Sequence, residues 1–250
     1  MRNIPAIVGW LACVIGAPVL VAFGLAGCLP DPDWAAQRRQ MVEQQLRARD
    51  IKNERVLAAM ERVPRHEFVP AERRAHAYDD NALAIGRGQT ISQPYIVGLM
   101  TATIDPQPKH RILEVGTGSG YQAAVLAELV SEVYTIELIP ALAEKAKALL
   151  QRQGYKDLHV RAGDGYKGWP EEAPFDAIVV TCGADHVPDP LFEQLKPGGA
   201  MVIPVGKVGE QVLKVITKGQ GGERRERDLI PVSFVPLRRQ SELPAEDKKP

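Results

Sequence analysis

The feature that most constrains the fold of this chain is a glycine-rich stretch near its middle. The apolar run Ile112–Val115 has the character of a buried parallel strand. Three glycines follow at alternate positions, Gly116, Gly118 and Gly120, and an Ala- and Leu-rich segment of helical character comes next. Such glycines let the backbone pass close to a ligand, and the helix N-terminus behind them favours an anionic group. The order of strand, glycine turn and helix predicts the first unit of a nucleotide-binding α/β fold.

A carboxylate strengthens this prediction, because it lies where a ribose is expected to bind. Glu137 ends the next apolar run, Val133–Ile136, and stands 21 positions after Gly116. At the end of the second strand of such a fold, a carboxylate accepts hydrogen bonds from ribose hydroxyls. The glycine turn and Glu137 together predict a nucleoside-type cofactor.

Composition and charge argue against several other classes of protein. The 250 residues are 45% hydrophobic and 25% charged, which suits a globular chain with one sizeable core. Basic and acidic side chains balance at 31 each, and no basic patch with interleaved aromatics indicates nucleic-acid binding. Cys13 and Cys28 are N-terminal, so Cys182 alone in the body allows no internal disulfide and no metal-ligand spacing. We interpret the scattered histidines as surface or turn residues and expect no metal site: His66, His76, His110, His159 and His186.

The N-terminal segment, residues 1–28, is predicted to stand outside the fold. Arg2 precedes an almost uncharged apolar run from Ile4 to Ala26, which is typical of a secretory signal. The Leu-Ala-Gly-Cys ending resembles a bacterial lipoprotein cleavage site, with Cys28 as the lipidated residue. An uncleaved membrane anchor is the alternative, since an apolar run of about 23 residues could span a bilayer, and a misassigned start codon is a third. Residues 29–37 are then expected to form a linker.

The segment from Trp34 to about Met60 has the apolar pattern of helices among charged residues. We expect it to break near Asp50 into two helices, with Asn53 as the cap of the second. Residues 63–70 contain two prolines and are not expected to form a regular helix. This arm either covers the substrate site or serves only for packing.

An irregular stretch, Asp79–Tyr95, is predicted to line a pocket. It contains two glycines and a proline, carries few charges after Asp80, and follows neither a helical nor a strand period. An apolar helix, Ile96–Ile104, comes next. Ser92 lies just before that helix, so its hydroxyl could either cap the helix or face the pocket.

After the glycine turn, strands and helices alternate, and one hairpin comes late in the chain. This pattern predicts an α/β fold with a Rossmann-like, mostly parallel sheet, an antiparallel edge strand and helices on both faces. The later strands are expected at residues 159–161, 175–181, 200–205, 211–217 and 230–237, and helices at 140–153 and 191–195. We expect one domain over residues 38–238, made of an N-terminal helical arm with the substrate loop (38–105) and a cofactor-binding core (106–238), followed by a disordered tail (239–250).

Two nucleoside cofactors compete for this fold. A nicotinamide dinucleotide prefers the pattern G-x-G-x-x-G, whereas here Glu114 stands just before glycines spaced as Glu-x-Gly-x-Gly-x-Gly. An anion beside the loop suits a ligand with an amine, and S-adenosylmethionine carries both an amino group and a sulfonium. The Gly-Asp-Gly at 163–165 and the Lys-Pro-Gly-Gly at 196–199 also fit methyltransferases. We therefore expect S-adenosylmethionine as the cofactor.

Several stretches of the chain resemble protein-L-isoaspartate O-methyltransferases of the bacterial type. They are Gly88–Tyr95, Leu113–Gln122, Gly163–Pro170, Ala173–Ile178 and Phe234–Leu237, and the resemblance runs in unbroken order from about residue 38 to 238. The Thr-Ile-Ser-Gln-Pro sequence is specific to that family, whereas the glycine motif is shared by many methyltransferases. The resemblance implies methyl transfer from S-adenosylmethionine to the free α-carboxylate of L-isoaspartyl residues in damaged proteins. The ester then collapses to a succinimide, from which normal aspartyl can re-form.

The resemblance also implies roles for individual residues. Ser92 would be the catalytic residue, whose hydroxyl orients the substrate carboxylate. The substrate site would comprise Ala84, Ile85, Gly86, Gln89, Thr90 and Ser92. The cofactor site would comprise Glu114, Gly116, Thr117, Gly118, Gly120, Glu137, Asp164, Gly165 and Thr181. For Asp164, a helix cap is the other interpretation.

The implied chemistry requires no general base, because a carboxylate of pKa roughly 3.5–4 is already ionised at neutral pH. Catalysis would then be mainly placement in a site shielded from water. Two other functions stay open: a methyltransferase for another carboxylate or a small molecule, and a non-catalytic envelope protein that binds ligands with the same fold. We expect isoaspartyl-containing proteins as partners, no nucleic acid, membrane contact only through residues 1–28, and a monomer. The cytoplasm is the expected compartment, since the methyl donor is made in the cytosol; a cell-envelope lipoprotein is the alternative.

Overall fold

The structure, a computed structural model, describes residues 32–248. The predicted signal, lipoprotein site or anchor therefore lies outside the described residues. Within residues 32–248, none of the helices combines the length and the apolar character that crossing a membrane requires.

From residue 111 onward, the described chain folds into strands and helices in the order that the sequence predicts, and two short strands also form within the stretch Asp79–Tyr95, which was expected to be irregular. The strands are β1 (Leu83–Gly86), β2 (Gln89–Ile91), β3 (Arg111–Val115), β4 (Glu132–Glu137), β5 (Leu158–Ala162), β6 (Phe175–Val180), β7 (Leu195–Val205), β8 (Gln211–Lys218) and β9 (Arg224–Val232). The α-helices are α1 (Trp34–Met41), α2 (Glu54–Arg62), α3 (Pro94–Thr103), α4 (Tyr121–Ala127), α5 (Pro140–Arg152) and α6 (Asp189–Glu193).

Seven of these strands form one sheet in the order β5-β4-β3-β6-β7-β8-β9. The pairs from β5 to β7 are parallel, whereas β8 and β9 pair antiparallel at one edge. The predicted Rossmann-like, mostly parallel sheet with an antiparallel edge is thereby confirmed. β1 and β2 stand apart as an antiparallel hairpin of their own.

The central strands are apolar along their length because both faces of the sheet are covered. On β3, Ile112 packs with α4 and the N-terminal arm, while its neighbours Leu113 and Val115 pack on the other face with Leu191 of α6. Successive side chains of a strand point to opposite faces, so one strand supplies both layers. Each such buried side chain contributes about 1.5–3 kcal/mol relative to exposure. Helices therefore lie on both faces, as predicted.

The N-terminal arm is helical from Trp34, as its apolar pattern predicts, so the helix takes in part of the expected linker. The Asp33 side chain accepts a 2.8 Å hydrogen bond from the Ala36 N–H, and this cap starts α1 at Trp34, inside the stretch 29–37 expected to be a linker. A π-helical segment, Val42–Arg47, continues α1. Asn53 caps α2 as predicted, since its Oδ1 accepts from two backbone N–H groups.

The sequence suggested that His66 of the arm is a surface or turn residue, but the structure buries it. Its side chain is buried, its ring stacks on Trp34 at 4.7 Å between centroids, and its Nδ1 lies 2.7 Å from the Tyr78 hydroxyl. Burial lowers the pKa of His66, so the neutral ring is favoured.

Two strand boundaries at the antiparallel edge differ from the prediction. β7 starts at Leu195 and takes in the Lys-Pro-Gly-Gly turn, because a bulge opposite β6 absorbs those residues. β9 covers residues 224–232 rather than 230–237, since the charged run before Leu229 forms the exposed outer strand of the sheet. The apolar residues 234–237 instead continue toward the carboxyl edge, where the Gln211 side chain holds Phe234 by its N–H and its carbonyl.

The prediction of a disordered tail is wrong for the described residues 239–248. Leu243 is 6% exposed and packs on Ile139 and Leu142, at the start of α5. The Asp247 carboxylate pairs with Arg87 at 2.6 Å. One apolar side chain and one ion pair thus order a segment whose composition resembles a disordered terminus.

Candidate active site

A cavity with a volume of about 890 Å³, including its mouth, opens at the carboxyl ends of β3, β4 and β6. The chain from β3 continues to β4 and β5 on one side, and β6 returns to the other side. Ligands of open α/β sheets bind at this kind of reversal in strand order. The cavity therefore lies where the sequence predicts the cofactor.

The glycine turn lines the cavity with Gly116 and Gly118, whereas Gly120, also predicted for the cofactor site, does not line it and packs against Leu150 and Ala146 of α5. All three glycines have a backbone conformation that suits glycine. Gly116, Gly118 and Gly120 have φ values of +99°, +52° and +88°. A Cβ on Gly116 would lie 2.5 Å from Oγ1 of Thr181, which itself donates a 2.6 Å hydrogen bond to the Gly116 carbonyl. Thr181, just after β6, thus holds the turn closely enough that a side chain at 116 has no room.

Glu137 lies at the end of β4, and its carboxylate connects the glycine turn to the loop that follows β4. Its Oε2 accepts from the Gly118 N–H at 2.8 Å, and its Oε1 accepts from the Ile139 N–H at 3.0 Å. The side chain is buried, and burial raises its pKa. Each oxygen keeps a second lone pair, so the carboxylate can still accept hydrogen bonds from hydroxyls of a ligand.

Glu114 is the most unusual side chain of the site, because it is a fully buried carboxyl group facing a cavity. Thr135 donates a 2.5 Å hydrogen bond to its Oε2, and the Thr117 hydroxyl lies 2.6 Å from that of Thr135. Oε1 has no hydrogen-bond partner in the described part of the chain. Burial raises the pKa of Glu114 to about 8, with a smaller contribution from Glu137. A cationic group bound beside Oε1 would favour the ionised form.

Ser92 lines the same cavity, and it does not cap the helix that follows. α3 begins at Pro94 with Gln93 at the N-cap, and the Tyr95 N–H of its first turn donates to Asp80 Oδ1 at 3.4 Å rather than to Ser92. Two roles were considered for the Ser92 hydroxyl, a helix cap and a position in the pocket. The structure excludes the cap, and Ser92 lies in the cavity lining.

The stretch expected to be irregular is the β1–β2 hairpin, and it brings only part of the predicted substrate site to the cavity. Gln89, Thr90 and Ser92 line the cavity. Ala84 and Gly86 are exposed on β1 and do not line it, while Ile85 is buried and faces a smaller neighbouring cavity. Ala84 and Gly86 point away from the face on which Ile85 is buried, because successive residues of a strand alternate between its two faces.

Asp164 and Gly165 also separate in the structure. Asp164 Oδ1 accepts from the Tyr166 N–H at 3.0 Å, so it caps the short 3₁₀ helix Gly165–Lys167. Gly165 alone lines the cavity, and a Cβ there would lie 2.5 Å from Val115. The cap considered for Asp164 is thus the role that its side chain plays.

Several residues that line the cavity were assigned no individual role from the sequence. Arg87 and Ile91 lie in the stretch predicted to line a pocket, and the others are Val97, Val115, Ser119, Tyr121, Gln122, Ile136, Leu138, Ile139, Cys182, Val235, Pro236, Leu237, Arg238, Leu243 and Asp247. Gln122 donates from Nε2 to Thr101 Oγ1 at 2.8 Å, which leaves its buried Oε1 without a partner among the described residues. Phe234–Leu237 belonged to the family resemblance without an assigned role. Val235, Pro236 and Leu237 of this motif line the cavity, so the resemblance itself was the sequence signal that could have placed them in the site.

Comparison with known proteins agrees with this geometry. A model of the family described as Protein-L-isoaspartate(D-aspartate) O-methyltransferase (PCMT) matches residues 36–242. The chain belongs to this family. Two curated protein-L-isoaspartate O-methyltransferases are similar to it: one from Opitutus terrae, 58% identical over 82% of this chain and 88% of its own, and one from Syntrophobacter fumaroxidans, 52% identical over 87% and 92%.

A solved structure from Plasmodium falciparum, described as a protein-L-isoaspartate O-methyltransferase in complex with S-adenosyl-L-homocysteine, is also similar. It is 26% identical, with a TM-score of 0.71 over 80% of this chain and 98% of that one. The chain is thus an S-adenosylmethionine-dependent methyltransferase that acts on the isoaspartyl residues of damaged proteins.

Proposed function

We propose that Ser92 orients the α-carboxylate of the L-isoaspartyl residue beside a cofactor held by the glycine turn. The observation that carries this proposal is that Ser92 lines one cavity with Glu114, Gly116 and Glu137 while its hydroxyl caps no helix. A hydroxyl in that position can donate a hydrogen bond to a carboxylate oxygen. Gln89 and Thr90 of the hairpin would contact the peptide on either side of that carboxylate.

The lining of the cavity fits S-adenosylmethionine. Glu114 offers Oε1, a buried acceptor without a partner in the described chain, to the cationic amine. Glu137 offers lone pairs to the ribose hydroxyls, and Gly165 leaves room at the base edge. Thr117 and Thr181 act on the turn rather than on the ligand, since their hydroxyls bond to Thr135 and to Gly116. When bound, S-adenosylmethionine supplies a methyl group activated by its sulfonium.

The residues of the chain then have little proton chemistry to perform. The substrate carboxylate is ionised at neutral pH and needs no base to remove a proton. Ser92 would hold one of its oxygens by a donated hydrogen bond, and the apolar side chains of Val97, Ile139 and Leu237 would exclude water from the reacting atoms. The other oxygen would be left free to bond to the donated methyl carbon as the carbon–sulfur bond of the donor breaks, which would give the methyl ester and release S-adenosylhomocysteine.

The experiment that tests this function compares two peptides that differ only in the linkage at one residue. The full chain should bind S-adenosylmethionine in titration calorimetry and should methylate the isoaspartyl peptide but not its aspartyl twin. Methylation of both peptides would indicate a less specific carboxyl methyltransferase. Binding without methylation of either peptide would indicate a binding protein or a different acceptor.

We propose further that the methyltransferase domain expected over residues 38–238, together with the start of α1 and the C-terminal segment that packs on it, works as a monomer in the cytoplasm. The cytosolic origin of the methyl donor supports this compartment, because an exported enzyme would lack its cofactor. Cell fractionation with mass spectrometry of the mature N-terminus tests it. A diacylated Cys28 in the membrane fraction would replace this proposal with an envelope lipoprotein.

A further inference from the structure

We propose that Arg87 selects isoaspartyl sites that have an acidic residue beside them. We propose also that Asp247, from the chain's own C-terminal segment, occupies Arg87 when no such substrate is bound. This proposal rests on the place assigned to the substrate beside Ser92.

Arg87 is held at the tip of the substrate hairpin in a conformation that usually belongs to glycine. Its φ is +50°, and its neighbours Gly86 and Gly88 have φ values of +97° and +68°. A left-handed conformation is strained for a residue that carries a Cβ, because the Cβ comes too close to the following carbonyl oxygen. Glycine at position 87 would form this turn with less backbone strain. The strained arginine therefore points to a function for its side chain.

That side chain lines the cavity in which Ser92, Gln89 and Thr90 lie. A peptide that places its isoaspartyl carboxylate at Ser92 continues in both directions, with consecutive Cα atoms about 3.8 Å apart. Its neighbouring residues therefore pass the hairpin tip, where a guanidinium can pair with a carboxylate side chain.

The structure already contains a carboxylate bound to Arg87. Asp247 Oδ1 lies 2.6 Å from Arg87 Nη1, although the two residues are 160 positions apart in the chain. Asp247 also lines the cavity, and its side chain is 15% exposed. The chain thus shows by its own contact that a peptide carboxylate fits this position.

The position of Asp247 is set by packing upstream of it. Arg239 lies over the Tyr166 ring at 4.1 Å and its N–H bonds to Glu242, and Leu243 is buried against Ile139. These contacts keep the segment near the cavity even when the ion pair opens. Asp247 is therefore an internal competitor at high local concentration.

The pair is weak enough for a substrate to replace it. The Arg87 side chain is 39% exposed, and ion pairs that reach the solvent contribute little to stability. The other charged residues that line the cavity are Arg238 at the mouth and the buried Glu114 and Glu137. When Asp247 moves away, the Arg87 guanidinium is left to pair with an acidic side chain of the peptide.

The test uses steady-state kinetics of the full chain on three isoaspartyl peptides with glutamate, glutamine or lysine beside the damaged residue. For the native chain at low salt, we expect KM to be about three- to fivefold lower for the glutamate peptide than for the glutamine peptide, with equal kcat. The lysine peptide should have the highest KM. The preference should shrink as the ionic strength approaches 1 M.

Three variants separate the two residues. Asp247→Asn should lower KM for the glutamate peptide further and leave the glutamine peptide within about twofold, since only a competitor for the cation is lost. Arg87→Gln should make the glutamate and glutamine peptides equivalent. Arg225→Gln removes an arginine from an exposed ion pair with Glu223, outside the cavity lining, and should behave as the native chain does.

Two results would overturn the proposal. One is a glutamate preference that persists in Arg87→Gln or is absent from both the native chain and Asp247→Asn. The other is an Asp247→Asn variant that changes KM equally for the glutamate and glutamine peptides, because Asp247 would then act by closing the site. Turnover of the glutamine peptide reports on the basic methylation reaction, so a failure of the proposed function is seen separately.

Discussion

Replacement of Glu114 by glutamine should remove a large pH-dependent contribution to the free energy of unfolding. Burial raises the pKa of Glu114 from 4.5 to about 8. Between these two values the unfolded chain has lost this proton while the folded protein still holds it. The stability contributed by the protonated group is therefore fully present below pH 4.5 and is lost as the pH rises toward 8.

The size of this effect follows from the difference between the two pKa values. At about 1.4 kcal/mol for each pH unit, a difference of about 3.5 gives an upper limit of about 5 kcal/mol. Glu114→Gln keeps the shape and an acceptor for the Thr135 hydroxyl but cannot ionise. The variant should thus be close to the native chain near pH 5 and more stable by about 3–5 kcal/mol near pH 8.5.

The assay is urea unfolding of the cofactor-free proteins at several values from about pH 5 to 8.5. Other titrating groups are common to both proteins, so the difference between the two curves isolates Glu114. Glu144→Gln, on the exposed side of α5, is the matched control and should track the native chain. A difference between Glu114→Gln and the native chain that stays constant over this pH range would refute the buried, protonated carboxyl group.

Three more substitutions test the site. Ser92→Ala should lower kcat/KM for an isoaspartyl peptide about tenfold to a hundredfold in steady-state kinetics, with stability and cofactor affinity unchanged, because one positioning hydrogen bond to a charged group contributes about 1.5–3 kcal/mol. Glu137→Ala should weaken S-adenosylmethionine binding by about 1.5–3 kcal/mol in titration calorimetry, and unchanged affinity would remove Glu137 from the site. Gly116→Ala should lose about 1–3 kcal/mol of stability in urea unfolding, since φ is +99° and its Cβ would lie 2.5 Å from Thr181 Oγ1. The control is Gly154→Ala, where φ is +93° but no atom lies within 4 Å of the added Cβ. An equal loss of stability in both variants would show that the contact with Thr181 contributes nothing to the loss at Gly116.

The parts of the fold and site that could be predicted from the sequence are those fixed by local rules. Gly116, Gly118 and Gly120 adopt positive φ values, and the pattern of alternating strands and helices predicts the mostly parallel sheet with an antiparallel edge that is observed. Asn53 caps α2 because a side-chain acceptor at that position satisfies nearby N–H groups. Such features depend on a few consecutive residues, so their signal is present in the sequence.

The parts that could not be predicted depend on contacts between distant residues. Leu243 is one apolar residue in a charged tail, and only the position of Ile139 explains its burial. Arg87 and Asp247 are 160 positions apart, and nothing in either local sequence relates them. The burial of His66 similarly depends on Trp34, which lies in a helix that begins within the expected linker.

The hairpin of β1 and β2 has a consequence for how enzymes of this kind can diversify. Among the described residues it forms a two-stranded sheet of its own and shares no ladder with the seven-stranded sheet. Gln89 and Thr90 lie on this hairpin, whereas Glu114 and Glu137 lie on strands of the large sheet. A substitution or insertion at the hairpin tip therefore leaves the strand register around the cofactor unchanged. Natural selection can alter the methyl acceptor through this short element while the donor site is inherited intact.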